Sequence, residues 1–105
     1  MKQPIIEDDI YEIVYSAIDE YNEMQEEDEH IYKEPSALLM KDGDQGGPLD
    51  TDEAVSFLIC IDELLDNDQR TVSINFDMNK ILEDKKIILR NVESLVKHIY
   101  NLSQK

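Results

Sequence analysis

The run Asp42-Gly43-Asp44-Gln45-Gly46-Gly47-Pro48-Leu49-Asp50-Thr51-Asp52-Glu53 concentrates the side chains of this protein best spaced for chemistry. Carboxylates stand at its first, third, ninth and twelfth places, with Gly sixth and an apolar residue eighth. That spacing suits a hard cation, because calcium collects about six to eight oxygens from a turned loop. Asp42, Asp44, Asp50 and Glu53 would supply the side-chain ligands and Pro48 a carbonyl, while Gly46 at the fifth place removes one ligand. The second reactive group is the Thr51 hydroxyl, set where this Gly/Pro-rich loop turns into an apolar-periodic run. Free N–H groups and the positive dipole end of a helix N-terminus favour negative charge there. The plain alternative is that Thr51 caps the helix, as hydroxyl residues commonly do.

Elements must hold these groups in place. Ile6, Ile10, Ile13, Val14, Ala17, Ile18, Tyr21 and Met24 recur at 3/4 spacing, which predicts one long helix from residue 4 to about 29. Pro4 and Glu7-Asp8-Asp9 suit its start. The acidic run Glu26-Glu27-Asp28-Glu29 lies at its negative dipole end, where fraying is expected. Residues 30–50 form a long connection in which Ser36 to Met40 makes a helical turn or an apolar clip. A second helix runs from Thr51 to about Asp66, with Ala54, Val55, Phe57, Leu58, Ile61 and Leu65 inward and Asp50 paired with Glu53 at capping-box spacing. Residues 71–76 alternate like a strand but have no partner run, so they lead into a short helix around Asp77–Leu82. A last helix starts at Asn91 and buries Val92, Leu95, Val96, Ile99 and Leu102. The pattern is an all-α bundle of four helices in a single domain, 1–105.

Composition narrows the function classes. Lys+Arg number 10 against 25 Asp+Glu, a formal net charge of −15. Such a surface repels nucleic-acid phosphates and anionic lipid, so neither is an expected partner; basic protein surfaces and cations are. A single cysteine, Cys60, excludes an internal disulfide and fits a cytoplasmic home. There is no apolar run of membrane-spanning length and no basic-then-apolar leader layout. Cys60 has no His-Asp partner pattern, His30 and His98 lie far apart, and Tyr11, Tyr15, Tyr21, Tyr32 and Tyr100 read as core-edge residues. No Walker, GxSxG or CxxC pattern occurs, so the chain does not read as an enzyme.

Gly46-Gly47-Pro48-Leu49-Asp50, followed by Thr51-Asp52, Val55-Ser56-Phe57-Leu58 and Asp62-Glu63, resembles the phosphopantetheine attachment region of acyl carrier proteins. In that family the loop ends in Asp-Ser-Leu; here it reads Asp50-Thr51-Asp52. Val72-Ser73-Ile74-Asn75-Phe76-Asp77 looks like the family's entry to its third helix, and Asn91 to Ile99 like its final one. The resemblance covers about residues 35–102 in register and the first helix by pattern. It implies an acyl-carrier-like four-helix bundle with a long first loop and a short third helix. It also implies a phosphopantetheine arm on Thr51, hindered because Thr is a secondary alcohol and Asp52 stands in place of Leu. Carrier proteins serve fatty acid or polyketide biosynthesis by docking on basic faces of acyl-transfer, adenylating or condensing enzymes. The matching docking face here is Asp50, Asp52, Ser56, Ile59 and Glu63, in a monomer.

Two other classes compete. An acidic nucleic-acid mimic of the immunity or inhibitor type would use exposed carboxylates spaced like phosphates. A calcium module would use the 42–53 loop in the manner of an EF-hand, which needs a helix before the loop; only a few residues separate Pro35 from Asp42.

Overall fold

The computed structural model describes residues 5–42 and 45–104. The long first run folds as α1, Glu7–Glu23, which buries Ile10, Ile13, Val14, Ala17, Ile18 and Tyr21. The Asp9 carboxylate accepts the Ile6 N–H at 3.2 Å, so acid in the first turn satisfies a donor the helix leaves open. Ile6 itself flanks the helix and is exposed, and Met24 lies beyond the last turn in solvent, correcting their assignment to the apolar stripe. Pro4, expected inside the helix start, lies outside the described residues.

The helix ends six residues before the expected limit of 29, for a local reason. The Asn22 side chain donates to the Ile31 carbonyl and accepts the Ile31 N–H, both at 2.9 Å. That two-way clamp pulls the chain back on itself, and the acidic run keeps only a 3-10 turn at Glu27–Glu29.

The Ser36–Met40 segment resolves as an apolar clip, with Ala37 and Leu39 buried. It is extended and makes two isolated bridges, Leu38 antiparallel to Asn91 and Met40 parallel to Leu49. The Leu49 N–H donates to the Leu39 carbonyl at 2.9 Å, and the Lys41 N–H to the Leu49 carbonyl at 2.8 Å. Residues 46 and 47 press so closely on the backbone of 38–42 that a side chain at either would strike main-chain atoms, which is why both are Gly.

Helix α2, Thr51–Asn67, buries Ala54, Phe57, Leu58, Ile61 and Leu65. Val55, expected in the core, is half-buried. It sits roughly 100° round the helix from the middle of that stripe, at the edge of the packed face. After α2 the chain hooks rather than extending: Thr71 is fully buried, and its hydroxyl donates to the Leu65 carbonyl at 2.8 Å. No strand forms among the described residues, so the alternation of 71–76 does not build a sheet. Asp77 caps the short α3, Met78–Glu83, accepting from Asn79 and Lys80 N–H groups. A further single turn, α4 (Lys85–Ile88), precedes α5, Val92–Ser103, which Asn91 caps through the Ser94 N–H at 2.8 Å.

α1 packs against both α2 and α5, while α3 and α4 close the open side of the layer. Burying the apolar stripes of three long helices against one another supplies the core, which Leu39, Leu49, Ile81 and Leu89 complete from the connections. Among the described residues no helix is long and apolar enough to cross a membrane.

Candidate functional site

The start of α2 gathers five side chains from three parts of the chain: Tyr21, then Asp50, Thr51 and Glu53, and Lys85. Asp50 is the cap: its carboxylate accepts the Glu53 N–H at 2.8 Å, and the Glu53 carboxylate accepts the Asp50 N–H at 3.3 Å. The other Glu53 oxygen accepts the Tyr21 hydroxyl of α1 at 3.0 Å. Hydrogen bonding to Glu53 and burial hold the Tyr21 phenol well above its usual range, burial being the larger cause. The Tyr21 ring meets Phe57 edge-on with centroids 6.2 Å apart, which fixes α1 against the first turns of α2.

Capping by Asp50 leaves the Thr51 hydroxyl outside the cap, so the plain reading of Thr51 as the cap gives way. Thr51 is the first residue of α2, exposed, and its Oγ1 accepts from Lys85 Nζ at 3.3 Å. The acids nearest this hydroxyl differ in availability. Asp50 and Glu53 are engaged with each other and with Tyr21, and Asp52 projects into solvent. Lys85 brings a positive charge to the one place where a phosphate on Thr51 would need it. Sequence spacing carries no signal for either added partner, since Lys85 is 34 residues and Tyr21 32 residues from the group it touches.

The expected docking residues share one surface. Asp52, Ser56, Ile59 and Glu63 follow 4-3-4 spacing along α2 and are all exposed, with Ile59 at 46%. Asp50 is exposed at the head of the same helix. This stripe lies opposite Ala54, Leu58, Ile61 and Leu65, so it is free of the core.

The described residues on either side of the calcium loop are not arranged as in an EF-hand. Residues 38–41, where an entering helix would stand, are extended and bonded to Leu49 and Leu89. Glu53, the expected twelfth ligand, is turned into the cap and onto Tyr21. Asp42 is exposed, and Asp44 lies outside the described residues. Among the described residues no group of three or more His, Cys, Asp or Glu side chains comes together as a metal cage.

Elsewhere, the Cys60 thiol donates to Glu20 Oε2 at 2.6 Å across α1 and α2. His30 Nε2 lies 3.1 Å from the Gln25 carbonyl. Tyr21 is buried and Tyr11, Tyr15 and Tyr100 half-buried, whereas Tyr32 is exposed and not at the core edge. Comparison of the chain with protein-family models, curated proteins and solved structures found no match.

Proposed function

We infer that the chain is an acyl-carrier-like docking protein whose α2 presents Asp50, Asp52, Ser56, Ile59 and Glu63 to basic enzyme surfaces, with Thr51 as the attachment hydroxyl. In this reading α1, α2 and α5 are the three long helices of a carrier-type four-helix bundle, and α3 with α4 stand for its short third helix. The observation that carries the reading is the exposed stripe itself. One aliphatic side chain, Ile59, lies among exposed acids on the face opposite the core. A small dry centre inside a charged rim is how charge-steered interfaces gain both contact and specificity. Partners of that kind are acyl-transfer, adenylating or condensing enzymes with basic faces.

Thr51 fits the attachment role in position and environment. It is exposed, its hydroxyl is released from capping, and Lys85 stands at 3.3 Å to offset phosphate charge. A phosphopantetheine arm would supply a flexible thiol for thioester chemistry, and the protein's own part is to present the hydroxyl and dock the enzymes. The secondary alcohol and the projecting Asp52 slow its esterification. Incubation with coenzyme A and a broad-specificity phosphopantetheinyl transferase, read by intact mass, tests this. The natural chain stays mostly unmodified, and Thr51→Ser with Asp52→Leu raises the modified fraction, which Lys85→Ala then lowers. Equal refusal by the double variant counts against Thr51 as an attachment site.

A further inference from the structure

A second surface has the opposite charge. In a chain of net charge −15, Lys41, Lys86 and Arg90 line one cavity of about 500 Å³, together with Leu38, Met40, Asp42, Gln45 and Gly46. Hydrogen bonds join its walls: the Leu39 N–H donates to the Arg90 carbonyl and the Met40 N–H to the Leu89 carbonyl, both at 3.1 Å. The Gly47 N–H donates to the Met40 carbonyl at 2.9 Å, and the Gln45 N–H to the Asp42 carbonyl at 3.0 Å. The cavity is therefore built by the backbone and is not a chance gap between side chains.

Its cations are the ones left over. Among the described residues Lys33, Arg70, Lys80 and Lys97 each pair with a carboxylate, and Lys85 donates to Thr51. Lys41, Lys86 and Arg90 have no such partner among the described residues, although acids outnumber bases by 25 to 10 in the chain. Three exposed cations without a carboxylate partner on one concave surface leave positive charge that an anion entering the cavity can meet.

We propose that this cavity binds a small organic phosphate monoester. The donor set selects the class. Lys41, Lys86 and Arg90 put three cationic donors on one lining. A phosphate monoester brings about −1.5 to −2 charge near neutral pH and three acceptor oxygens, where a carboxylate brings a single charge and two oxygens. The planar Arg90 fork takes two phosphate oxygens, and Lys41 and Lys86 act as point charges. Leu38 and Met40 offer an apolar wall to the carbon body, and the volume lies in the range of small-molecule sites. Size decides against a polymer. Charge interactions fade over about 8 Å at physiological ionic strength, so a ligand inside the cavity feels its lining. A nucleic acid or an anionic membrane extends over the acidic remainder and is repelled. Thr51 and Lys85 do not line the cavity, so the proposal is independent of any arm on α2.

Phenyl phosphate titrated into the full chain in phosphate-free buffer, followed by backbone amide NMR, is the test. Saturable shifts are expected at residues 38–42, 45–47 and 86–90. Arg90→Ala and Lys86→Ala each weaken binding roughly tenfold, the usual loss of a charge-assisted contact. Asp42→Asn tightens binding, Arg90→Lys falls between wild type and Arg90→Ala, and inorganic phosphate, lacking the ring, binds more weakly. Arg90 and Lys86 are exposed, so the folded state persists in each variant; circular dichroism checks it, and either variant suffices to decide. Shifts that never saturate, or an affinity that ignores both substitutions, overturn the proposal. So does a stronger response at the same amides to single-stranded DNA or phosphatidylserine vesicles than to phenyl phosphate.

Discussion

Two acidic hydrogens at the α1–α2 seam are held by carboxylates, and both tie pH to packing. The Cys60 thiol donates to Glu20, and burial first, then that bond, push it up to about 12. An unperturbed thiol sits near 8.5, so at pH 8 the thiolate fraction falls by about three orders of magnitude. Greater intrinsic nucleophilicity at high pKa recovers part of the loss, leaving alkylation slower than that of a free peptide cysteine by roughly 10- to 100-fold. Glu20→Gln removes the negative acceptor, lowers the thiol pKa and speeds alkylation at pH 8; an unchanged rate would leave burial as the sole cause. The stability consequence has a definite sign. Cys60 and Tyr21 both have folded pKa values above their unfolded ones. Their contribution is complete below about pH 9 and is lost as pH rises toward 12, so the melting temperature falls across that window. Periodicity leaves Cys60 out of the inward stripe of Ala54, Val55, Phe57, Leu58, Ile61 and Leu65, because it reports which face a residue occupies. It carries nothing about Glu20, since a contact across 40 residues depends on how two helices settle together.

At the scale of elements, α2 decides the reading, because one register sets both its core and its proposed docking face. Leu58 is fully buried and its neighbour Ile59 is 46% exposed. Leu58→Asp puts an unpaired charge in the core at a cost of several kcal/mol, comparable with the whole stability of a small domain, and the chain unfolds. Ile59→Asp costs about 1 kcal/mol or less and leaves the helical spectrum and melting nearly unchanged. Binding to a basic enzyme partner falls all the same. If Ile59→Asp unfolds the chain as Leu58→Asp does, the outward stripe is core and the docking face is lost. The three long helices were legible from 3/4 periodicity, which at Asp50 and Asn91 coincides with capping residues that mark the starts of α2 and α5. The early end of α1 was not, since it follows from Asn22 bonding to Ile31. α4 was not either: Lys85–Ile88 is too short to show a period. The backbone before the 42–53 loop was not legible either: the loop spacing of an EF-hand is present, while residues 38–41 are extended where an entering helix would stand.

Over the whole molecule, charge acts twice with opposite responses to salt. The net −15 is carried by a body with a radius of gyration of 13.1 Å, so most of its carboxylates lie within a few screening lengths of one another. Their mutual repulsion opposes the compact state, and salt relieves it. Against that, Arg70 holds the chain after α2 to the start of α1 through Asp9 at 2.6 Å and pairs locally with Asp68 at 2.8 Å, and salt weakens both bonds. Exposed pairs of this kind contribute little, so the repulsion of many unpaired acids outweighs them. Raising sodium chloride from low concentration to about 0.5 M therefore increases the melting temperature, by several degrees if about 1 kcal/mol of repulsion is screened. Arg70→Gln removes the attractive share and adds one more net negative charge, so it melts lower at low salt and gains more from salt than wild type. The proposed docking on a basic enzyme is expected to weaken over the same salt range, because its attraction is screened too. A melting temperature that falls with salt would mean that local pairs such as those of Arg70, not the excess of acids, set the electrostatic balance of the fold.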